Sequence, residues 1–116
     1  MKILFTDPLH HEGIRLLKNA NFEVIDGTNG SIEKKISLSC DVDAWLIRSG
    51  TTINKKAIDR AQKLKIIGRA GVGVDNIDIE YATKRGIVVT NTPDVNTTSA
   101  CEHTIALMLT LSRNIS

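Results

Sequence analysis

At 116 residues, with 41% hydrophobic and 24% charged side chains, the chain has the composition of one soluble globular domain with room for a single core. Its formal net charge of +2, with both signs interspersed and no Lys/Arg cluster interleaved with aromatics, argues against a nucleic-acid-binding or membrane-surface patch. Cys40 and Cys101 have neither disulfide density nor metal-ligand spacing, and the N-terminal MKILFTDP meets Asp7 too soon for a signal peptide, so a cytoplasmic setting with buried or idle reduced thiols and no membrane span is expected.

Short β-branched runs alternate with amphipathic segments along the chain. The first strand is predicted over Lys2–Thr6, followed by a helix over His11–Asn19 that carries Ile14, Leu16 and Leu17. A second strand, Phe22–Ile25, precedes a helix over Ile32–Ser39, opened by Ser31 as N-cap with Glu33 in its first turn. The third strand, Ala44–Arg48, leads to a helix over Lys55–Lys63 capped by Asn54. The fourth, Lys65–Arg69, leads to a helix over Ile79–Arg85, entered after Asp78 and stopped by Gly86 as its C′ residue. A fifth strand, Ile87–Thr90, precedes the longest helix, about Thr97 to Arg113, with Ser99 and Glu102 at capping-box spacing near its start. Most of the strands are apolar throughout rather than alternating, as in strands covered on both faces. A βα unit repeated five times, with short right-handed crossovers, gives an α/β fold with a doubly wound, five-stranded parallel sheet.

In such a sheet ligands bind beyond the C-terminal ends of the strands, so chemistry is sought in residues 7–12, 48–54, 70–76 and 91–99. The run RAGVGVDNID sets Gly71 and Gly73 two apart. A dinucleotide fingerprint would need a third glycine where Asn76 stands and an acid where the fifth strand ends in Thr90-Asn91. The two glycines fit a nest of converging backbone N–H groups for a small anion as well as they fit a tight turn. Arg48, followed by Ser49-Gly50-Thr51-Thr52, offers a guanidinium fork to a carboxylate or phosphate, or a rim salt bridge. Asn96 is a ligand-binding residue at a helix N-terminus, where anions are favoured, or only the cap of that helix. Three such loops at one sheet edge point to a small-anion pocket. His10 and His11 are expected to face solvent. Glu102 and His103 are adjacent on a helix and so point about 100° apart, too far for a hydrogen-bonded acid–base pair. Cys101 lacks a nearby base.

The runs IRSGTTINKKAID, LKIIGRAGVGVDNIDIEYATKRGIVVTNTP and NTTSACEHTIALMLTLSRNI resemble the D-isomer-specific 2-hydroxyacid dehydrogenases, closely over about 45–114 and mainly in architecture over 1–44. The resemblance implies a flavodoxin-like substrate-binding domain over 1–95, with 96–116 the helix that crosses to a nucleotide-binding domain. It implies an NAD-dependent oxidoreductase acting on the 2-hydroxyl of a small D-2-hydroxy acid, with 3-phosphoglycerate, a serine-biosynthesis substrate, expected. By the same resemblance, the amides of Gly71, Val72 and Gly73 hold the substrate carboxylate while Val72 sits near the nicotinamide. Arg48 and Ser49 bind substrate, Arg48 facing its acid or phosphate end. Asn96 lines the cleft and Ala100 approaches the cofactor. Val95 stands where a small residue is common in the family, and Cys101 where an alanine-like one is usual.

The family's catalytic Arg, Glu and His are expected downstream, so the resemblance makes this chain a fragment with no catalytic residue, inactive alone and binding NAD weakly or not at all. Its expected partners are a small anionic 2-hydroxy or 2-oxo acid, the nucleotide-binding domain, and a second copy through the 97–113 helix, which is apolar nearly all round over 104–111. A signalling receiver of the same topology would need an acidic pair after the first strand, an Asp ending the third and a Lys ending the fifth. Asp7, Arg48 and Asn91 hold those places. An FMN-binding flavodoxin would need a Ser/Thr-rich loop where DPLHHEG stands. An isolated flavodoxin-like domain without activity is the remaining alternative.

Overall fold

The computed structural model describes residues 1–113, so positions 114–116 of the segment expected to cross to a second domain lie outside the described residues. Five strands, β1 (Lys2–Phe5), β2 (Glu23–Asp26), β3 (Ala44–Ile47), β4 (Ile66–Arg69) and β5 (Val88–Thr90), alternate with five helices. These are α1 (His11–Asn19), α2 (Ile32–Leu38), α3 (Lys55–Arg60), α4 (Ile79–Lys84) and α5 (Thr97–Arg113), with a 3₁₀ turn at Ser39–Asp41. The strands form one sheet in the order β2-β1-β3-β4-β5, and every pairing is parallel. This is the doubly wound order expected, and the chain crosses over once, between β2 and β3.

Local chemistry fixes the helix starts. Ser31, Asn54 and Asp78 each accept a hydrogen bond from the backbone N–H three residues on, satisfying an amide that the first turn leaves open. Gly86 follows α4 with φ +71°, a left-handed position that ends the helix. One start differs from expectation. Ser99 lies inside α5 rather than before it, so it cannot cap the helix, and no capping box forms.

The register aligns Leu4, Trp45 and Ile67 on one face of the sheet, with Ile47 two residues on from Trp45. That face is closed by α2, α3 and α4, and Trp45, Ile47, Ile53, Ile58 and Ile67 are fully buried there. The Trp45 indole N–H donates to Thr6 Oγ1 at 2.9 Å, so the core's largest side chain carries no unpaired donor. The opposite face is covered near β2 by α1, but towards β5 it is open, and Val88 is 57% exposed. The expectation of strands covered on both faces therefore fails at this edge. The reason is α5, which does not return to the sheet. It points away, its residues from Thr97 to Leu109 are all exposed, and the molecule extends 54 Å along its long axis against 32 and 25 Å across. Cys40 and Cys101 are both exposed and unpaired.

Candidate functional site

Beyond the C-terminal ends of β1, β3 and β4 the connecting segments enclose a cleft of about 600 Å³. It is lined by Pro8, Leu9 and His10 after β1, Arg48 after β3, Ala70 and Gly71 after β4, and Thr92, Val95 and Asn96 after β5. Arg48 directs Nη1 to the Pro8 carbonyl at 3.5 Å and makes no salt bridge among the described residues, so the rim ion pair weighed from sequence does not form. Arg69, at the end of β4, likewise has no acidic partner there, and its buried Nε has no hydrogen-bond acceptor. Its guanidinium lies against Gly71, where a Cβ would fall 1.8 Å from Nη1. Arg48 thus lines the cleft without an acidic partner among the described residues, and Arg69 stands behind Gly71 in a neighbouring hollow.

The glycine loop is held from behind. Thr92 N–H donates to the Gly71 carbonyl at 3.0 Å and Asn91 Nδ2 to the Val72 carbonyl at 2.8 Å. The amides of Val72 and Gly73 donate to no acceptor among the described residues, which leaves them available to an anion. Asn76, in the place of the fingerprint's third glycine, is engaged elsewhere through its amide nitrogen, while its buried Oδ1 has no hydrogen-bond partner among the described residues. Its Nδ2 donates to the carbonyls of Arg48 and Thr51, both at 2.7 Å, and ties the two loops together. This loop has no cradle for a pyrophosphate.

Beneath Arg48 lies Asp7, only 3% exposed. Burial alone would raise its carboxyl pKa, but hydrogen bonds from the Thr51 hydroxyl and the Arg48 and Thr51 amides, with Lys35 nearby, outweigh it and hold the group below the ordinary carboxylate value. A depressed native pKa contributes stability above the unfolded-state value, and the contribution is lost as pH falls through the native one. The thermal stability of the wild type should therefore exceed that of Asp7→Asn most at neutral pH, with the gap narrowing below about pH 5. Melting temperatures of both proteins across that range check this; a constant gap would mean that folding does not depress the Asp7 carboxyl pKa.

Of the residues singled out from sequence, Arg48, Gly71 and Asn96 line the one cleft. Asn96 precedes α5, its carbonyl accepts the Ala100 N–H at 2.8 Å, and its side chain makes no hydrogen bond among the described residues. Ser49, Val72, Gly73 and Ala100 do not line it. Val72 is 42% exposed beside it, and Ala100 sits in the first turn of α5. His10, expected to face solvent, is exposed but forms part of the cleft wall, with Nδ1 accepting the Glu12 N–H at 3.3 Å. Glu102 and His103 make no bond to each other. A His–Glu contact does occur at His11–Glu12, 3.4 Å, but its histidine is 78% exposed and outside the cleft. Sequence reasoning missed Arg69, Asp7 and Asn76. Arg69 had a signal, a strand-end cation like Arg48; the other two act across 25 residues or more and had none.

A profile of the D-isomer specific 2-hydroxyacid dehydrogenase catalytic domain matches residues 3–113. The chain is 48% identical over 115 residues to D-3-phosphoglycerate dehydrogenase of Methanocaldococcus jannaschii, covering 99% of this chain and 22% of that protein. Among solved structures it is similar to NAD⁺-bound 3-phosphoglycerate dehydrogenase of Entamoeba histolytica, with 35% identity, a TM-score of 0.79, and 95% of this chain matched to 38% of that one. It is similar also to NAD-dependent formate dehydrogenase of Staphylococcus aureus in complex with NAD, with 25% identity, a TM-score of 0.86, and 98% of this chain on 39% of that one. The chain spans about a fifth of the length of the curated relatives it matches.

Proposed function

The chain belongs to the D-isomer specific 2-hydroxyacid dehydrogenase family, and from that premise we propose that it is the substrate-binding part of an NAD-dependent enzyme that oxidises 3-phosphoglycerate at its 2-hydroxyl. The observation that carries the reading is one cleft at the C-terminal sheet edge in which an unpaired Arg48, Gly71 and the free side chain of Asn96 converge. An acid with charge at both ends needs a cation and free amides at separate points; Arg48 in the cleft supplies the first, and the free Val72 and Gly73 amides beside it the second. In this reading the amides of Val72 and Gly73 hold the carboxylate, while the Gly71 N–H donates to the Arg69 carbonyl at 2.9 Å; Arg48 with Ser49 takes the acid or phosphate end, and Asn96 orients the polar middle.

NAD, if bound, would supply the acceptor for a hydride from substrate C2. Here only Val72 and Ala100 are assigned to it, as apolar contacts for the nicotinamide end, because the glycine loop lacks a pyrophosphate cradle. The base that takes the hydroxyl proton is assigned to chain outside these residues, since no histidine–carboxylate pair faces the cleft. Residues 1–95 then form the substrate domain, α5 carries the chain across to the nucleotide-binding domain, and a cytoplasmic location and self-association through α5 belong to the same reading.

The 116-residue chain, purified and mixed with 3-phosphoglycerate and NAD, is expected to produce no NADH, while the full-length protein does. Turnover by the short chain would place the base within it. A full-length protein inert towards 3-phosphoglycerate but active on another D-2-hydroxy acid would keep the family chemistry and overturn the substrate.

A further inference from the structure

The strands β1 and β3 part company at the edge of the cleft. Up to that point the parallel ladder is regular, and Thr6 N–H donates to the Leu46 carbonyl at 3.2 Å. The next amide on β3's side, that of Arg48, would continue the ladder onto β1's backbone, but it donates instead to the Asp7 side chain, Oδ2, at 2.7 Å. The same oxygen accepts the Thr51 N–H at 3.0 Å, and Oδ1 accepts the Thr51 hydroxyl at 2.6 Å. Lys35 Nζ stands 3.9 Å from Oδ1. The loop between is pressed close, for a Cβ on Gly50 would fall 2.9 Å from Oδ1. From the other side Asn76 Nδ2 holds the Arg48 carbonyl. The peptide units on both sides of the Arg48 Cα are therefore each pinned by a side chain.

We infer that Asp7, with Asn76 opposite it, is a positioning residue that fixes the Arg48 backbone so that the guanidinium is presented to the cleft in one orientation. This rests on Arg48 binding substrate, as proposed above. Charge alone would not put a carboxylate here. A buried negative group under an anion pocket opposes the anion, so losing its charge would tighten substrate binding, whereas losing its acceptor geometry would loosen it. The two effects have opposite signs on KM, and the inference commits to geometry. An amide at position 7 has one oxygen for the two N–H donors and a donor head that the Thr51 hydroxyl must turn to meet, and all three bonds lose their charge assistance.

The test is a double-mutant cycle in the full-length protein, using Asp7→Asn, Arg48→Ala and the pair, with KM for 3-phosphoglycerate and for NAD measured separately. Asp7→Asn is expected to raise KM for 3-phosphoglycerate about fivefold or more, leave KM for NAD unchanged, and add nothing in the Arg48→Ala background, since it acts through that residue. A lowered or unchanged KM in Asp7→Asn, or effects that multiply in the double variant, would overturn the inference. A general loss of structure would instead move kcat and both KM values together and persist without Arg48. If Arg48→Ala by itself leaves KM unchanged, the assignment of Arg48 to substrate fails, and the inference with it, independently of what Asp7→Asn does. Should Asp7→Asn not fold, Asn76→Ala goes through the same cycle with the same outcomes required.

Discussion

Arg48→Ala in the full-length protein is expected to raise KM for 3-phosphoglycerate by roughly ten- to hundredfold while leaving kcat within a few-fold of wild type. A charge-assisted hydrogen bond to an acid group is worth about 1.5–3 kcal/mol, and each 1.4 kcal/mol is about a factor of ten. The loss should fall on KM because Arg48 lines the cleft from the loop after β3, and in the proposed reading it would hold a non-reacting end of the substrate equally in the ground and transition states. Its present condition makes the contact strong. It has no carboxylate partner to release and only a long, 3.5 Å bond to the Pro8 carbonyl to give up. Arg48→Lys should fall between, since an ammonium keeps the charge and loses the fork. An unchanged KM for Arg48→Ala would make the residue a surface cation with no part in binding. A fall in kcat with KM unchanged would place it at the reacting carbon instead.

The order of elements and the edge of the sheet that carries the cleft could be read from the chain because both depend on local signals. Apolar β-branched runs, Ser31, Asn54 and Asp78 as caps, and Gly86 as a stop each act within a few residues, and the strand-end rule then locates the loops. Arg48, Gly71 and Asn96 were found this way. What could not be read is how those loops are fastened. Asn76 marks the failure of a dinucleotide fingerprint in the sequence, yet its work, bridging to Arg48 and Thr51, appears only when β3 and β4 lie side by side. Asp7 stood in the sequence only as the start of a candidate loop, 7–12, and its three donors come from residues 41 to 44 positions away. Ser99 misled in the other direction. Capping-box spacing is a local rule, but here the helix already begins at Thr97, so the hydroxyl falls within it. The direction of α5 could not be read from its own apolar pattern, which announces that the helix must be buried and does not say against what; only the family resemblance implied that it leaves the sheet.

The isolated 116-residue chain should therefore associate with itself, and α5 should be the reason. Ile105, Leu107, Met108, Leu109 and Leu111 are each between 51% and 82% exposed, and they point in several directions around the helix. Each forgoes up to about 1.5–3 kcal/mol by remaining in water. Five of them amount to a sum comparable with the whole stability of a small domain, about 5–15 kcal/mol. A second uncovered surface lies on the same molecule, where Val88 is 57% exposed on the sheet face that lacks a helix. In the short chain a second copy can satisfy both, either by pairing α5 with its equivalent about a two-fold axis or by laying each α5 on the other copy's open face. The segment 91–96 suits the second arrangement. Thr92 is anchored to Gly71, so the path of the chain is decided after it, and Asp94 already adopts φ +64° there. Light scattering over a concentration series should show mass rising from monomer to dimer, and Met108→Glu or Leu111→Glu should return it to monomer without melting the sheet. A monomer at every concentration, with the α5 amides protected from hydrogen exchange, would mean instead that the helix folds back and closes the β4–β5 face of its own sheet.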